Sequence, residues 1–510
     1  MRINHKYTTI TQDFGNYNNT TRDIFVNQCF YDIGKPKRAT CPNMSDGTPF
    51  FVVDTLTKKN VFHGKCKDQV IDFSLMNIEG LFYIECGGRK SYDFKVGNNA
   101  LYEGQISQAL SFMEQSRQDT FDVGYSTGYA WRDSHQFSFE VQSLIDLYTS
   151  NKEYFDGLEW NVYKANECEY QDLRVQKEPN IIWLIKFALK RYYEWNVTSG
   201  VTLHALIKSQ VADFLYHFDG LSEWFTEDYY STIKNWLESI WEVSTTNKSW
   251  YDEFTTQNLL IAQNKVGTVK GAMPVGYGVI PNFQMYSITG EEKYLNAGQS
   301  NIEFVCSLDF TDGANTKGQR MSEYVCMDAM MFVYENYLNY APTNLLEKIE
   351  EYIDVIISNS DNLWDFRKYN ETYYTHGIIN NKEINEVGNV LGLPFIIFRY
   401  LPICKDNEKT ERLLQIAISA FDNAFGRNPM NRCFCYTAKS EFDGADKGWI
   451  ERYKGGAGNL SWCAGVMDGA PKNDSYPYNP DADTGYTEGW VAFNTDWNRS
   501  LAWLFRYYNK

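Results

Sequence analysis

The chain has 510 residues, of which 43% are hydrophobic and 22% charged, a balance that is ordinary for a globular protein with a sizeable core. Its formal net charge is −17 at pH 7, because 65 acidic side chains outnumber 48 basic ones. A field of that sign repels phosphate backbones and anionic membrane surfaces, so the composition argues against nucleic acid and membranes as partners.

The start of the chain has no apolar segment of the kind that a secretory signal requires, and no run of 18 apolar residues occurs anywhere. We therefore expect a cytoplasmic protein, unless a leader has been removed. The 11 cysteines follow no regular spacing, and their odd number argues against a disulfide framework. We expect buried thiols that behave as small hydrophobic side chains, and we predict neither a metal ion nor a cofactor.

The first hundred residues are predicted to form a small β-sandwich. Short runs rich in β-branched and aromatic residues are separated by turn signals such as Ser45-Asp46-Gly47 and Gly87-Gly88. Strands of this length and spacing are typical of a sandwich. The runs are 24–26, 50–53, 70–73, 81–85 and 92–96.

From about Tyr102 the apolar period becomes helical and remains so. Val141, Leu144 and Ile145 follow this period, as do many later groups of apolar residues. A succession of amphipathic helices with no strands between them predicts a helical toroid or bundle and not a parallel sheet. Residues beyond 425 look like a loop rich in Gly, Asn, Asp and aromatics, and a last apolar helix is predicted over 500–508. Loops of that length are usually functional.

Several segments resemble one known family. Residues 24–28, 35–39 and 51–54 resemble the immunoglobulin-like domain that precedes the catalytic barrel of many family 9 glycoside hydrolases, and 80–85 with 91–97 fit the end of that domain. The resemblance implies a mainly α protein, in which an (α/α)6 barrel, or six-hairpin toroid, follows a small immunoglobulin-like β-sandwich. The implied domains are residues 1–100 and 101–510.

The second part of the chain also resembles this family. Phe425-Gly426-Arg427-Asn428-Pro429 is similar to the Gly-Arg-Asn-Pro turn of the barrel, and residues 465–471 resemble the glycine-rich loop that follows it. Tyr486-Thr487-Glu488, with Asn494, Asp496 and Asn498 after it, is similar to the segment that carries the acid glutamate of the family. The resemblance implies an active site in an open cleft at one end of the barrel.

Inverting glycosidases need a protonated acid on the leaving oxygen and an ionised base that holds a water, about 6.5–9.5 Å apart. The resemblance implies that Glu488 is the acid, and its aromatic neighbours Tyr486 and Trp490 favour the protonated form. The Trp-x-Asp-x-x-Asp motif of the family corresponds to residues 131–136, so Asp133 matches the first aspartate and Gln136 stands in the place of the usual base.

A neutral amide such as Gln136 orients a water but does not take its proton at pH 7. Either Asp133 is the base, or His135 assists, or the reaction is not ordinary inverting hydrolysis. The His-His-Arg substrate motif of the family has no counterpart after Pro429, where Arg432, Lys447, Trp449 and Arg452 stand instead. Cellulose is therefore not assumed to be the substrate.

The leading hypothesis is a glycoside hydrolase that acts on a soluble β-linked oligosaccharide or polysaccharide fragment, with Glu488 as acid and Asp133 as base or water-positioning residue. One alternative is a phosphorylase or uronic-acid-processing enzyme on the same fold, which Gln136 and the basic side chains of Arg432 and Arg452 would suit. The other is a non-catalytic glycan-binding protein. The expected substrate contacts are Trp131, Arg132, His135, Gln136, Arg427, Arg432, Trp449, Trp462, Tyr486 and Trp490.

Overall fold

A computed structural model describes most of the chain. The described residues are 23–115, 117, 130–131, 138–158, 178–244, 258–261, 275–311, 322–367, 377–379, 382–384, 391–428, 431 and 491–510.

Two sheets form the amino-terminal part. The larger sheet has the strand order β1-β8-β6-β3-β4, with β7 paired to β6, and β1 runs parallel to β8. The smaller sheet pairs β2 with β5 in antiparallel fashion. The strands are β1 (Phe30–Asp32), β2 (Arg38–Thr40), β3 (Pro49–Asp54), β4 (Asn60–Lys65), β5 (Val70–Asp72), β6 (Gly80–Cys86), β7 (Arg89–Lys90) and β8 (Phe94–Gly97).

One hydrophobic core lies between these two sheets. Phe50 and Val52 of β3 are buried on either side of the half-buried Phe51, as the period of a strand requires, and they belong to the same core as Ala39 and Ile71 of the smaller sheet. The predicted β-sandwich is therefore confirmed. The last of these strands ends at Gly97 and the first helix begins at Ala100.

The rest of the described chain is almost entirely helical. The helices are α1 (Ala100–Gln115), α2 (Glu140–Ser150), α3 (Lys152–Gly157), α4 (Asn180–Ser199), α5 (Ala205–Tyr216), α6 (Glu227–Ile240), α7 (Val279–Thr289), α8 (Glu292–Cys306), α9 (Ser322–Asn336), α10 (Leu345–Asn359), α11 (Leu393–Tyr400), α12 (Asn407–Ala424) and α13 (Val491–Tyr508). A short hairpin, β9 (Gly377–Ile379) and β10 (Lys382–Ile384), precedes α11.

Six of these helices form a closed inner ring. Helices α2, α5, α7, α9, α11 and α13 each pack on the next, and α13 packs back on α2. Helices α4, α6, α8, α10, α12 and α1 pack outside them, each against a neighbouring inner helix. The ring confirms the predicted six-hairpin (α/α)6 barrel.

The burial patterns explain which helices are inside. Every residue of α11 is buried, and so are residues 491–502 of α13, as expected for helices surrounded by protein. The outer helix α10 buries only one stripe, Leu345, Ile349, Tyr352, Ile353 and Ile356. Thr226 caps α6 and Asp406 caps α12, each accepting a backbone N–H three residues on.

One sequence-based prediction about the barrel is wrong. The last helix begins at Val491 and not at residue 500, because Asn494, Thr495 and Asp496 are polar yet fully buried against neighbouring inner helices. Buried polar residues weaken the apolar period on which the prediction of helices depends.

The described cysteines bear out the expectation of free thiols. Seven cysteines fall within the described ranges and none of these is in a disulfide. Burial raises the pKa of Cys306 and of Cys326 to about 12, so both stay protonated at neutral pH. Cys404 is partly exposed, whereas the other six are buried: Cys29, Cys41, Cys66, Cys86, Cys306 and Cys326.

Candidate active site

Most of the predicted site residues lie outside the described residues, and Trp131 and Arg427 are the two that the structure describes. The predictions that lie outside are the two candidate catalytic carboxylates, Asp133 and Glu488, together with Arg132, His135, Gln136, Arg432, Trp449, Trp462, Tyr486 and Trp490.

The two segments that carry the candidate carboxylates lead into neighbouring helices. Asp133 precedes α2 and Glu488 precedes α13, and these two inner helices lie side by side. At their amino-terminal ends the Phe139 N–H donates to Thr495 Oγ1 at 3.1 Å. One level further along, Asn498 Nδ2 donates to Ser143 Oγ at 3.3 Å. Because these two contacts follow one another in the same direction along both helices, α2 and α13 run parallel and begin at the same end of the barrel.

Trp131 is an anchor beside the segment of Asp133. Its side chain is fully buried, and its indole Nε1–H donates to the Met113 carbonyl at 2.8 Å, at the end of α1. Its ring meets Phe187 of α4 edge to face, with centroids 6.3 Å apart. The chain is therefore fixed two residues before Asp133 by α1 and α4.

A buried carboxylate lies where α2 begins. Glu140 is fully buried, and its two oxygens accept hydrogen bonds from Ser138 Oγ and from Gln210 Nε2 of α5, both at 2.5 Å. Gln210 Oε1 in turn accepts the Val141 N–H at 2.7 Å. Burial, with the charge of Glu140 next in size, raises the pKa of Tyr192. This network ties the start of α2 to the middle of α5.

The sequence analysis did not single out Glu140. An acidic residue in the first turn of a helix is usually exposed and interacts with the helix dipole. Its partner Gln210 is 70 residues away, so the local sequence carries no sign of the contact. The only local signal is Ser138 two residues earlier, which donates to the same carboxylate.

The starts of α9, α11 and α13 also meet closely. Gly392 lies against Tyr324 and Asp496, so that a Cβ at this glycine would come within 2.2 Å of the Tyr324 ring and 3.0 Å of Asp496 Oδ2. Asp496 and Tyr324 are both buried. The amino-terminal end of the inner ring is therefore tightly packed, and Glu140, Tyr324, Gly392 and Asp496 are called its polar floor below.

Arg427 lies between the β-sandwich and the barrel. It is fully buried, and it donates to Thr40 Oγ1 of β2 at 2.9 Å, to Ser419 Oγ of α12 at 2.8 Å and to Asp365 Oδ2 at 3.1 Å. Asp365 also pairs with Arg38 of β2 and Arg412 of α12. The described contacts of Arg427 join the two domains, and a contact with substrate stays a prediction.

Within the described residues, no group of three or more His, Cys, Asp and Glu side chains has the arrangement of a metal site. Among the same residues, no helix is both long and apolar enough to cross a membrane.

Comparison with solved structures identifies the fold class. AaCel9A in complex with a cellobiose-like isofagomine matches with a TM-score of 0.64 and 12% identity, over 95% of this chain and 100% of that one. A GH9 protein of Bacteroides ovatus matches with a TM-score of 0.59 and 14% identity, over 95% and 99%. A metagenome-derived glycoside hydrolase family 9 endoglucanase matches with a TM-score of 0.62 and 11% identity, over 95% and 98%.

The chain thus has the fold of family 9 glycoside hydrolases, an immunoglobulin-like domain followed by an (α/α)6 barrel, along nearly its whole length. No family model matches the sequence, and no curated protein matches it either. The identities of 11–14% mean that the likeness is one of fold.

Proposed function

We propose that the protein is a glycoside hydrolase that acts on a soluble β-linked oligosaccharide or polysaccharide fragment by an inverting mechanism. Glu488 donates a proton to the glycosidic oxygen. Asp133 takes a proton from the attacking water or positions that water. Water then attacks the anomeric carbon from the face opposite the leaving group, so that its configuration inverts.

The observation that carries this proposal is the contact between the starts of α2 and α13. The Phe139 N–H donates to Thr495 Oγ1, so the helices that follow Asp133 and Glu488 in sequence begin at the same end of the barrel. Glu488 is three residues before α13, a span of at most about 11 Å of chain. Asp133 is two residues after the buried anchor Trp131. These limits are compatible with the separation of about 6.5–9.5 Å that an inverting pair requires.

The fold supports the choice of substrate class. The solved structures of this fold include one in complex with a cellobiose-like isofagomine. We propose that aromatic side chains of the same loops stack on sugar rings and that basic or amide side chains bind hydroxyl groups. The proposed contacts are Arg132, His135, Gln136, Arg432, Trp449, Trp462, Tyr486 and Trp490.

The test is turnover of a panel of plant, microbial and host-derived oligosaccharides, with and without inorganic phosphate. The proposal predicts new reducing ends that form independently of phosphate, with the first product in the inverted configuration by NMR. Turnover that requires phosphate would indicate a phosphorylase, and an ultraviolet-absorbing unsaturated product would indicate cleavage of a uronic acid substrate by elimination. Binding with no turnover of any member of the panel would indicate a glycan-binding protein. Each of these three outcomes contradicts hydrolysis.

A further inference from the structure

Three cysteines lie together at one end of the hydrophobic core of the β-sandwich. Cys86 is the last residue of β6 in the larger sheet, Cys41 follows β2 of the smaller sheet, and Cys66 follows β4. All three belong to the same core, and none is more than 2% exposed. Burial raises the pKa of Cys41 and of Cys66, and the nearby Cys86 raises both further. At least 20 residues separate these cysteines in sequence, so the fold brings them together.

The contacts around Cys41 and Cys86 hold these two side chains against each other. Cys86 pairs with Arg89 across the turn between β6 and β7, and Arg89 Nη1 donates to the Pro42 carbonyl at 2.7 Å, next to Cys41. Burial raises the pKa of Cys86, and a hydrogen bond with the Cys41 side chain opposes this increase. The Cys41 N–H donates to the Gln69 carbonyl at 2.8 Å, which fixes its backbone. The two thiols therefore lie side by side, one at the end of each sheet.

Neither thiol is suited to react with an external reagent in the folded protein. Cys41 has no exposed surface and Cys86 is 2% exposed. Burial raises the pKa of Cys41 to about 12, so the reactive thiolate is scarce at neutral pH. Within the described residues, no three side chains of the metal-binding types have the arrangement of a metal site. The reaction that this geometry favours is therefore between the two thiols themselves, while the chain folds and both are still exposed.

We propose that Cys41 and Cys86 form a disulfide when the chain folds under oxidising conditions, and that this bond links the two sheets. The thiolate of one cysteine attacks a disulfide oxidant such as oxidised glutathione, whose S–S bond breaks and releases one thiol. The other cysteine then attacks the sulfur of the first and releases the second thiol. Two cysteine thiols are thus oxidised, one external disulfide is reduced, and the two protons end on the released thiols. The new bond needs the two sulfurs about 2.05 Å apart, a short movement for side chains that are already hydrogen-bonded.

This bond would stabilise the part of the sandwich that contacts the barrel. Thr40 lies directly before Cys41 and accepts from Arg427 Nε at 2.9 Å. Strand β6, which ends at Cys86, is the middle strand of the order β1-β8-β6-β3-β4. The disulfide therefore ties the centre of the larger sheet to the strand that docks on the barrel, and it closes the long loop 41–86, which restricts the unfolded chain. The site does not depend on the proposed hydrolysis.

Refolding of the full chain tests this disulfide. Reduced, unfolded protein is refolded either with a mixture of reduced and oxidised glutathione or with dithiothreitol, and free thiols are then alkylated and mapped by mass spectrometry. We expect a linked Cys41–Cys86 peptide in the glutathione sample alone, together with a higher midpoint of thermal unfolding. When oxidised glutathione is added only after folding, the bond should form at least about 10-fold more slowly, because the buried thiols are protonated and enclosed.

Cys66→Ala is the matched control, because Cys66 lies at the same end of the core but has its hydrogen bond with the backbone of Gln69. This variant should keep the linked peptide. Cys41→Ala and Cys86→Ala should lose it, and their unfolding midpoints should be the same in both refolding mixtures.

If the chain does not refold, protein produced in the bacterial periplasm and in the cytoplasm supplies the oxidising and the reducing sample. The proposal is overturned if Cys41 and Cys86 stay free, or carry glutathione, in folded protein made under oxidising conditions. It is also overturned if Cys66 is linked to either of them, or if the linked protein unfolds at a lower temperature than the reduced one.

Discussion

Arg427 Nη2 lies 3.1 Å from Asp365 Oδ2, and this fully buried ion pair joins the turn after α12 to the segment after α10. The same guanidinium donates to Thr40 of the β-sandwich. Burial alone would raise the pKa of Asp365, but Arg427, Arg38 and Arg412 outweigh it and lower that pKa. Arg427 therefore holds the two domains together.

Replacing Arg427 by Met should cost about 3–5 kcal/mol in the free energy of unfolding, because Asp365 loses one of its buried partners. Denaturant unfolding measures this cost. Lys293→Met is the control, since Lys293 forms exposed pairs with Glu242 and Glu291 that are worth at most about 1 kcal/mol. A stable Arg427→Met protein that has lost substrate binding would instead support the sequence-based prediction that Arg427 contacts substrate.

We expect Asp422 to make the protein less stable as the pH rises. Burial raises its pKa from 3.8 to about 7, against the opposing effect of Arg427. Between those two values the folded protein holds a proton that the unfolded chain has released, so raising the pH destabilises the fold across this window and no further above it.

Asp422→Asn should remove this dependence and make the protein more stable than wild type at pH 8, by at most about 4 kcal/mol, and equally stable near pH 4. The amide keeps an oxygen to accept from Asn27 Nδ2, which lies 3.1 Å from Asp422 Oδ1. Thermal unfolding from pH 4 to 8 measures the difference, with the exposed Asp361→Asn as a control for the lost charge. A variant less stable than wild type at pH 8 would show that Asp422 is ionised and stabilising.

His217 should also make the protein less stable as the pH rises. Burial tends to lower its pKa, but Asp213 outweighs this and the pKa is raised above 6.5. Because the folded-state pKa is the higher one, the contribution is complete below about pH 6.5 and is lost as the pH rises through the folded value. His217→Gln should therefore destabilise the protein more at pH 5.5 than at pH 8.5. The effect is modest, since the side chain is 40% exposed, and an equal loss at both pH values would contradict it.

Gly392→Ala tests the packing beneath the candidate active site. The added Cβ would come within 2.2 Å of Tyr324 and 3.0 Å of Asp496, so the starts of α9, α11 and α13 must move apart. We expect a loss of about 1–3 kcal/mol in the free energy of unfolding, and lower turnover. Gly157→Ala is the control, because that exposed glycine has nothing within 4 Å of the added Cβ. Equal stability and turnover of the Gly392→Ala and Gly157→Ala proteins would contradict the tight packing around Gly392.

The sandwich and the ring of helices could be predicted because their patterns are local. Phe50 and Val52 alternate along one strand, and Ile349, Ile353 and Ile356 form one stripe of a helix. The polar floor could not be predicted, since Glu140 depends on Gln210 and Gly392 on Tyr324, pairs that are far apart in sequence.

In the candidate site, too, the sequence indicated what short motifs carry and missed what only the fold brings together. The resemblance to the family indicated Asp133 and Glu488 from short motifs, and these assignments remain proposals. Arg427 matched a motif as well, but only the fold shows that it contacts the β-sandwich.

The most direct test of the proposed hydrolysis uses an oligosaccharide that the wild type cleaves. Its turnover is compared among wild type, Glu488→Gln and Asp133→Asn, with Glu408→Gln on the outer helix α12 as the control. The account predicts that the first two variants unfold at the wild-type temperature but lose about 10²-fold or more in kcat, as expected for an acid or a base, while the control is unchanged. If either folded variant turns over substrate at the wild-type rate, that carboxylate is not part of the catalytic pair.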